Sequence, residues 1–147
     1  MADLTVTPAR LRPLEVIEAR LIPMIADEAI TKGQPVYRKT NGRAGKARAN
    51  AVGTAKVVGI ATSDAAAGIA FEALYHGRLA GYDLSGVNPG STIHLSAATA
   101  GALADTAASG TGNVVVPIGT VHTMTDASST RFLFVDVPQN ATPTALA

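Results

Sequence analysis

The chain has no cysteine and no tryptophan, and aromatic residues make up only 4 % of its 147 positions. Without cysteine there can be neither a disulfide framework nor a thiolate metal site. With so few rings, the core has to be built from Val, Ile, Leu and Ala. Long apolar runs are also missing. The longest, such as residues 114–118, fall far short of a bilayer span. The opening segment MADLTVTPARLRP lacks the apolar stretch of a signal peptide. No amphipathic stretch of helical period runs beyond two turns, and no repeat on the scale of roughly 20–50 residues is visible.

What is present is a succession of short apolar segments broken by turn residues. Residues 77–106 (GRLAGYDLSGVNPGSTIHLSAATAGALADT) show it most densely. Gly, Pro, Asn and Ser at that spacing cannot sit inside a helix, so the chain must reverse or kink every few residues. About ten strands are expected, in a β-sandwich or partly closed barrel. In order, residues 15–24 read as a strand, with a helix possible by composition until Pro23 ends it. Asn41-Gly42 reads as a hairpin turn, because both residues tolerate positive φ. Residues 57–61 read as a buried strand in which Gly59 allows close backbone approach. Residues 69–75 alternate, with Leu74 out of phase, so both faces are expected to be covered. Gly77 reads as a turn. The stretch 97–112 reads as a hairpin followed by an exposed, mobile loop. Residues 114–124 read as a strand bent at Pro117-Ile118-Gly119, residues 125–130 as a turn, and residues 131–137 as the central strand. Three regions result: an N-terminal arm and lead-in strand (1–25), a β domain (26–137) and a flexible tail (138–147).

The net charge is only +1, but it is unevenly spread. Residues 1–56 hold ten Lys/Arg against five acids, and residues 57–147 hold two against six. The first region therefore faces an acidic partner, the acidic part of a neighbouring copy, or simply solvent. Arg38, Lys39, Arg43, Lys46 and Arg48 gather on one predicted hairpin. The arm, with Pro8 and Pro13, carries Leu4, Val6, Arg10 and Arg12. It has too little apolar surface to fold alone and reads as disordered or as docked on something else.

Candidate chemistry is sparse. His76, His94 and His122 come from three predicted strands and could converge on a metal, but no carboxylate lies at ligand spacing beside them. No Gly-x-Ser-x-Gly elbow is present. Asp27-Glu28 precede a turn and read as solvated loop residues. The segment 42–46 (GRAGK) resembles a phosphate loop only superficially, since Ala47 stands where a Ser or Thr must reach magnesium. The basic hairpin with Tyr37 is a minimal nucleic-acid footprint without stacking aromatics. Asn140-Ala141-Thr142 matches a glycosylation acceptor, read as a chance match.

Several segments together form a familiar arrangement. Lys32-Gly33-Gln34-Pro35-Val36-Tyr37 precedes a hairpin, and Val57-Val58-Gly59-Ile60-Ala61 follows. Then come Gly77-Arg78-Leu79-Ala80-Gly81, Leu84-Ser85-Gly86 leading to Pro89-Gly90-Ser91, and Leu95-Ser96 with Thr99-Ala100-Gly101-Ala102-Leu103. The series ends with Val116-Pro117-Ile118-Gly119-Thr120-Val121 and Ser129-Thr130 running into Phe132-Leu133-Phe134-Val135-Asp136. This resembles the small β-rich capsid decoration (cement) proteins of tailed bacteriophages, over about residues 26–137. The resemblance implies a non-enzymatic structural virion protein without cofactors. Such a protein is made in the host cytoplasm and binds the outer surface of an expanded shell. There it staples major capsid protein subunits together, often as a homotrimer, with neither nucleic acid nor membrane as partner. The lead-in 1–25 falls outside the match. On this reading Leu4, Val6, Arg10, Arg12, Arg38, Lys39 and Arg43 are the expected capsid or subunit contacts. A carbohydrate- or receptor-binding module of a phage or secreted surface is the other reading; exposed aromatic platforms would favour it, and the chain has few aromatics to supply them.

Overall fold

The structure, a computed structural model, describes residues 3–14, 19–123, 131–139 and 143–147. These residues form an all-β half-barrel, a curled antiparallel sheet of ten strands. In chain order the strands are β1 (Arg12–Pro13), β2 (Arg20–Ile25), β3 (Pro35–Arg38), β4 (Ala44–Lys46), β5 (Val57–Ala61), β6 (Ala70–Ala80), β7 (Thr92–Leu95), β8 (Leu103–Ala104), β9 (Pro117–Thr123) and β10 (Arg131–Asp136). A 3-10 turn, Pro8–Arg10, precedes β1, and a single helical turn, α1 (Val52–Ala55), precedes β5. The predicted turn at 125–130 and most of the apolar residues expected to begin the first strand lie outside the described residues.

Everything is arranged about β6. In its first half Leu74 pairs with Leu21 of β2 on one edge and with Ile60 of β5 on the other. In its second half Leu79 pairs with Pro13 of β1 and with Leu133 of β10. From one edge of β6 the sheet therefore forks, one arm running β5-β3-β4 and the other β10-β9-β7-β8. Gly77, predicted to be a turn, lies inside this continuous strand. Its φ of +140° kinks the strand without reversing it, a conformation a side chain would resist. Pairing with Val135 of β10 carries the strand through the kink.

Two cores result. The larger holds Ile60, Leu74, Leu79, Ile93, Leu95, Ile118, Val121, Leu133 and Val135. The smaller holds Met24, Ile30, Val36, Ala61, Phe71 and Ala73. Ala73 and Leu74 are neighbours in sequence yet lie in different cores, because successive strand residues point to opposite faces. The out-of-phase Leu74 is thus covered, as its position suggested. An isolated bridge between Ala26 and Ala44 ties the end of β2 to β4 and curls β2-β6-β5-β3-β4 around the smaller core.

The arm, expected to be disordered or docked on something else, is docked on its own domain, and the lead-in strand joins the sheet. β2 pairs with β6 along its whole length, so the lead-in is part of the sheet. The arm docks on its own domain. Leu4 N–H donates to the Leu103 carbonyl at 2.8 Å, and Thr7 N–H to the Gly81 carbonyl at 2.8 Å. Leu11 is buried, and Leu4 and Val6 pack against the larger core. The tail is docked where it is described: Leu146 exchanges backbone hydrogen bonds with Gly112 and Asn113, at 2.9 and 2.7 Å. The same bonds hold the loop expected to be mobile near Ser109, where Asn113 Nδ2 also donates to the Ser109 carbonyl at 2.6 Å.

Candidate interaction surface

The expected hairpin forms between β3 and β4, but its returning strand is Ala44–Lys46 rather than residues 46–49, and its turn differs. Gly42 N–H donates to the Lys39 carbonyl at 2.9 Å, and Lys39 N–H to the Arg43 carbonyl at 2.8 Å. Only Gly42 takes positive φ, at +86°, while Asn41 does not. This is a turn closed by a glycine bulge rather than one with both central residues left-handed. Asn41 instead uses its side chain: Oδ1 accepts from Arg43 N–H at 2.9 Å, and Nδ2 donates to Asp27 Oδ1 at 3.2 Å.

The basic residues of the hairpin then divide. Lys39 Nζ lies 3.0 Å from Asp27 Oδ2 and 3.8 Å from Glu28 Oε2. Lys46 Nζ lies 3.8 Å from Glu28 Oε1. The hydrogen bond from Lys39, and next that from Asn41, holds the Asp27 carboxyl below its ordinary range, and the same bond raises the Lys39 ammonium. Asp27 and Glu28 are therefore the hairpin's internal counter-charges and not simply solvated loop residues. Arg48 is also engaged inside the molecule, its Nε donating to the Ala97 carbonyl at 2.9 Å.

Arg38 and Arg43 are left facing outward. Arg38 Nη1 donates to the Gly42 carbonyl at 3.1 Å. Both arginines line an open cleft of about 410 Å³ with Pro23, Ile25, Asn41 and Ala70. Ile25, which lines that cleft, is 45 % exposed, and Leu21 of the same strand face is 39 % exposed. β2 explains the patch. Ile22 and Met24 turn toward the smaller core, so Leu21, Pro23 and Ile25 turn away from it. The sequence LIPMI is apolar on both faces, and this was the available signal that one face would be left uncovered.

Leu4 and Val6, expected to contact a partner, are used within the chain. Arg10 lines a separate polar cleft of about 420 Å³ with Thr5, Tyr82, Asp83 and Arg131. Arg12 lies exposed in β1, opposite Ala80. The arm arginines and the hairpin arginines are thus not brought together. They sit by opposite ends of β6, up to about 30 Å apart at the usual strand rise.

The histidines share the outward face of the second fork. His76 and His122 flank the Phe134 ring, with centroids 5.3 and 5.4 Å away. His76 Nδ1 is 3.4 Å from Asp136 Oδ1, and His122 Nε2 is 2.9 Å from Thr120 Oγ1. His94 lies on β7, where burial lowers its imidazole. Among the described residues no group of three or more His, Asp or Glu side chains is placed to hold a metal ion. No described helix is long and apolar enough to cross a membrane. Comparison of the chain with family models, with curated proteins and with solved structures returns no match in any of the three.

Proposed function

We propose that this chain is a capsid decoration protein. It binds the outer surface of an expanded phage shell and bridges major capsid protein subunits, without catalysing a reaction. The observation that carries the reading is the aliphatic and basic surface formed by β2 and the hairpin: Pro23 and Ile25 exposed in one cleft with Arg38 and Arg43. Exposed aliphatic residues beside unpaired arginines suit an interaction site with an acidic counterpart. The scaffold behind it suits a staple. The arm and tail are strapped to the domain, so little ordering entropy is lost on binding. The segments that resemble decoration proteins also fall on β3, β5, β6, β9 and β10, the strands that build both forks. Three copies around a local threefold position would multiply weak contacts by valency.

The test is co-sedimentation with expanded, undecorated shells of the parent phage. The wild-type chain should bind saturably at a fixed ratio to capsid subunits. Arg38→Glu with Arg43→Glu should weaken that binding, most strongly at low salt. Absence of wild-type binding at low salt would overturn the proposal.

A further inference from the structure

At the end of β6 away from the hairpin, the docked arm and the segment after β6 form a short antiparallel pair. Asp83 N–H donates to the Thr5 carbonyl at 2.7 Å and Thr7 N–H to the Gly81 carbonyl at 2.8 Å, with Val6 bridged to Tyr82 between them. Side chains alternate across such a pair. Val6 packs against the larger core, and Tyr82 sends its hydroxyl to the Gly33 carbonyl. Thr5, Thr7 and Asp83 therefore take the other face, where they line the polar cleft of about 420 Å³ with Arg10, Ser85 and Arg131. That volume falls within the roughly 300–1,000 Å³ of small-molecule sites.

The polar groups of this cleft are fixed in place but not used up. Arg131 Nη1 donates to the Leu84 and Ser85 carbonyls, at 3.0 and 2.6 Å, which pins the guanidinium to the loop after β6. Those acceptors are neutral, and neither Arg131 nor Arg10 forms an ion pair among the described residues. Thr7 precedes the 3-10 turn without capping it through its side chain. Asp83 shares the cleft, and its Oδ1 accepts from the Ser85 N–H and hydroxyl, at 3.1 and 2.7 Å. These bonds hold the Asp83 carboxyl below its ordinary range, so it stays ionised, and both fall on Oδ1, so Oδ2 remains for another donor.

Two guanidiniums, one carboxylate and several hydroxyls thus meet in one cleft. A bare anion would meet the guanidiniums but be repelled by Asp83. A neutral sugar would suit Asp83 and the threonines but leave both guanidiniums uncompensated. A ligand that carries a carboxylate and hydroxyls together satisfies all of them. We infer that this cleft binds a sugar acid of the hexuronate class, with its carboxylate on Arg10 and Arg131 and its hydroxyls donating to Asp83. The inference does not rest on shell binding, because Arg38 and Arg43 sit by the opposite end of β6.

The experiment titrates the full chain with sodium glucuronate in a calorimeter, with glucose, sodium acetate and inorganic phosphate as comparisons. Saturable binding of glucuronate is expected, at least tenfold tighter than that of each comparison. Arg10→Ala should weaken it about tenfold, and Thr7→Val and Asp83→Asn should weaken it too, with the melting temperature of each variant confirming that it folds. Lys56→Glu, at an exposed position outside the cleft, should leave binding unchanged. No saturable binding of glucuronate would overturn the inference. So would binding indifferent to Arg10→Ala, binding weakened as much by Lys56→Glu, or glucose binding as tightly. Acetate or phosphate binding as tightly as glucuronate, or glucuronate binding tightened by Asp83→Asn, would overturn the sugar-acid assignment in favour of a bare anion site.

Discussion

Leu11 and Leu21 both lie in the segment that reads as an outlying arm and lead-in, yet the structure gives them opposite roles. Leu11 is 4 % exposed, and its backbone lies against Gly81, so closely that a Cβ on that glycine would fall 2.6 Å from Leu11 Cα. Leu21 is 39 % exposed on the outward face of β2. Truncating a buried leucine to alanine removes its transfer free energy and leaves a cavity, together about 2–4 kcal/mol. Leu11 should fall in that range, because the 3-10 turn before it and β1 after it stop the site from collapsing. Truncating Leu21 should cost under about 1 kcal/mol. For a domain of this size each kcal/mol corresponds to roughly 2–5 °C. Leu11→Ala should therefore lower the melting temperature by about 5–15 °C, and Leu21→Ala by a few degrees at most. Urea melts should place the two variants in the same order with unchanged slope. Equal, small losses from both would refute the docked arm and restore an outlying segment. The same reasoning predicts that deleting residues 2–13 destabilises the domain, contrary to what a free arm would allow.

Other outcomes follow from single positions. Gly119 faces the Phe134 carbonyl so closely that any Cβ there would overlap it. Gly119→Ala should fail to accumulate as folded protein, whereas Gly86→Ala, with nothing nearby, should express and melt like the parent. Equal yields would refute the β9–β10 register. Tyr82 donates its hydroxyl to the Gly33 carbonyl at 2.6 Å, and burial pushes its phenol well above the usual range. Tyr82→Phe should cost about 1–1.5 kcal/mol in a urea melt, and no loss would show that the bond does not form. Asp27 has a folded-state pKa below its ordinary 3.8. Its contribution is therefore fully present above that value and is lost as pH falls through the folded pKa. Asp27→Asn should shrink the drop in melting temperature between about pH 6 and about pH 3, leaving the share of Asp83, which Ser85 lowers in the same way. An undiminished drop would refute the Asp27–Lys39 coupling.

The strands were legible where composition alone decides. Residues 57–61 and 131–136 carry β-branched and aromatic residues at a density that only strands accommodate, and both are central strands. Gly59 also has its expected role, since a Cβ there would lie 2.8 Å from the Leu74 carbonyl. Gly77 was misread because a glycine inside an apolar run can mark either a turn or a kink. The choice is made by β10, which lies more than fifty residues further along the chain. The arm was misread for a related reason. Leu4, Val6 and Leu11 look too sparse to fold, and locally they are. Their partners are Leu103, Gly81 and Gly33, positions no local pattern connects. The interaction surface was half legible. The basic hairpin could be seen, but the removal of Lys39 and Lys46 from it by Asp27 and Glu28 depends on the Ala26–Ala44 bridge. The exposed Leu21 and Ile25 depend on which face of β2 the smaller core takes.

That division of charge separates folding from binding within one hairpin. Lys39 reaches inward to Asp27, and Asn41 fixes the other oxygen of the same carboxylate. Reversing Lys39 to Glu would set a third carboxylate beside Asp27 and Glu28 and remove the donor that stabilises them. Lys39→Glu should therefore act on stability, lowering the melting temperature at neutral pH by an amount that shrinks as acid protonates the three carboxylates. Arg43 hydrogen-bonds to this network only through its backbone, its charge adding the smallest of the pulls on Asp27, and holds its side chain against the open cleft. Arg43→Glu should leave the melt almost unchanged and weaken shell binding at low salt. The two variants change charge by the same amount, four residues apart on one turn, so overall electrostatics cannot separate their effects. Only the geometry of Asp27 can. If both variants lowered shell binding equally with unchanged melts, Lys39 would belong to the outer surface, and the basic hairpin would act as an undivided patch.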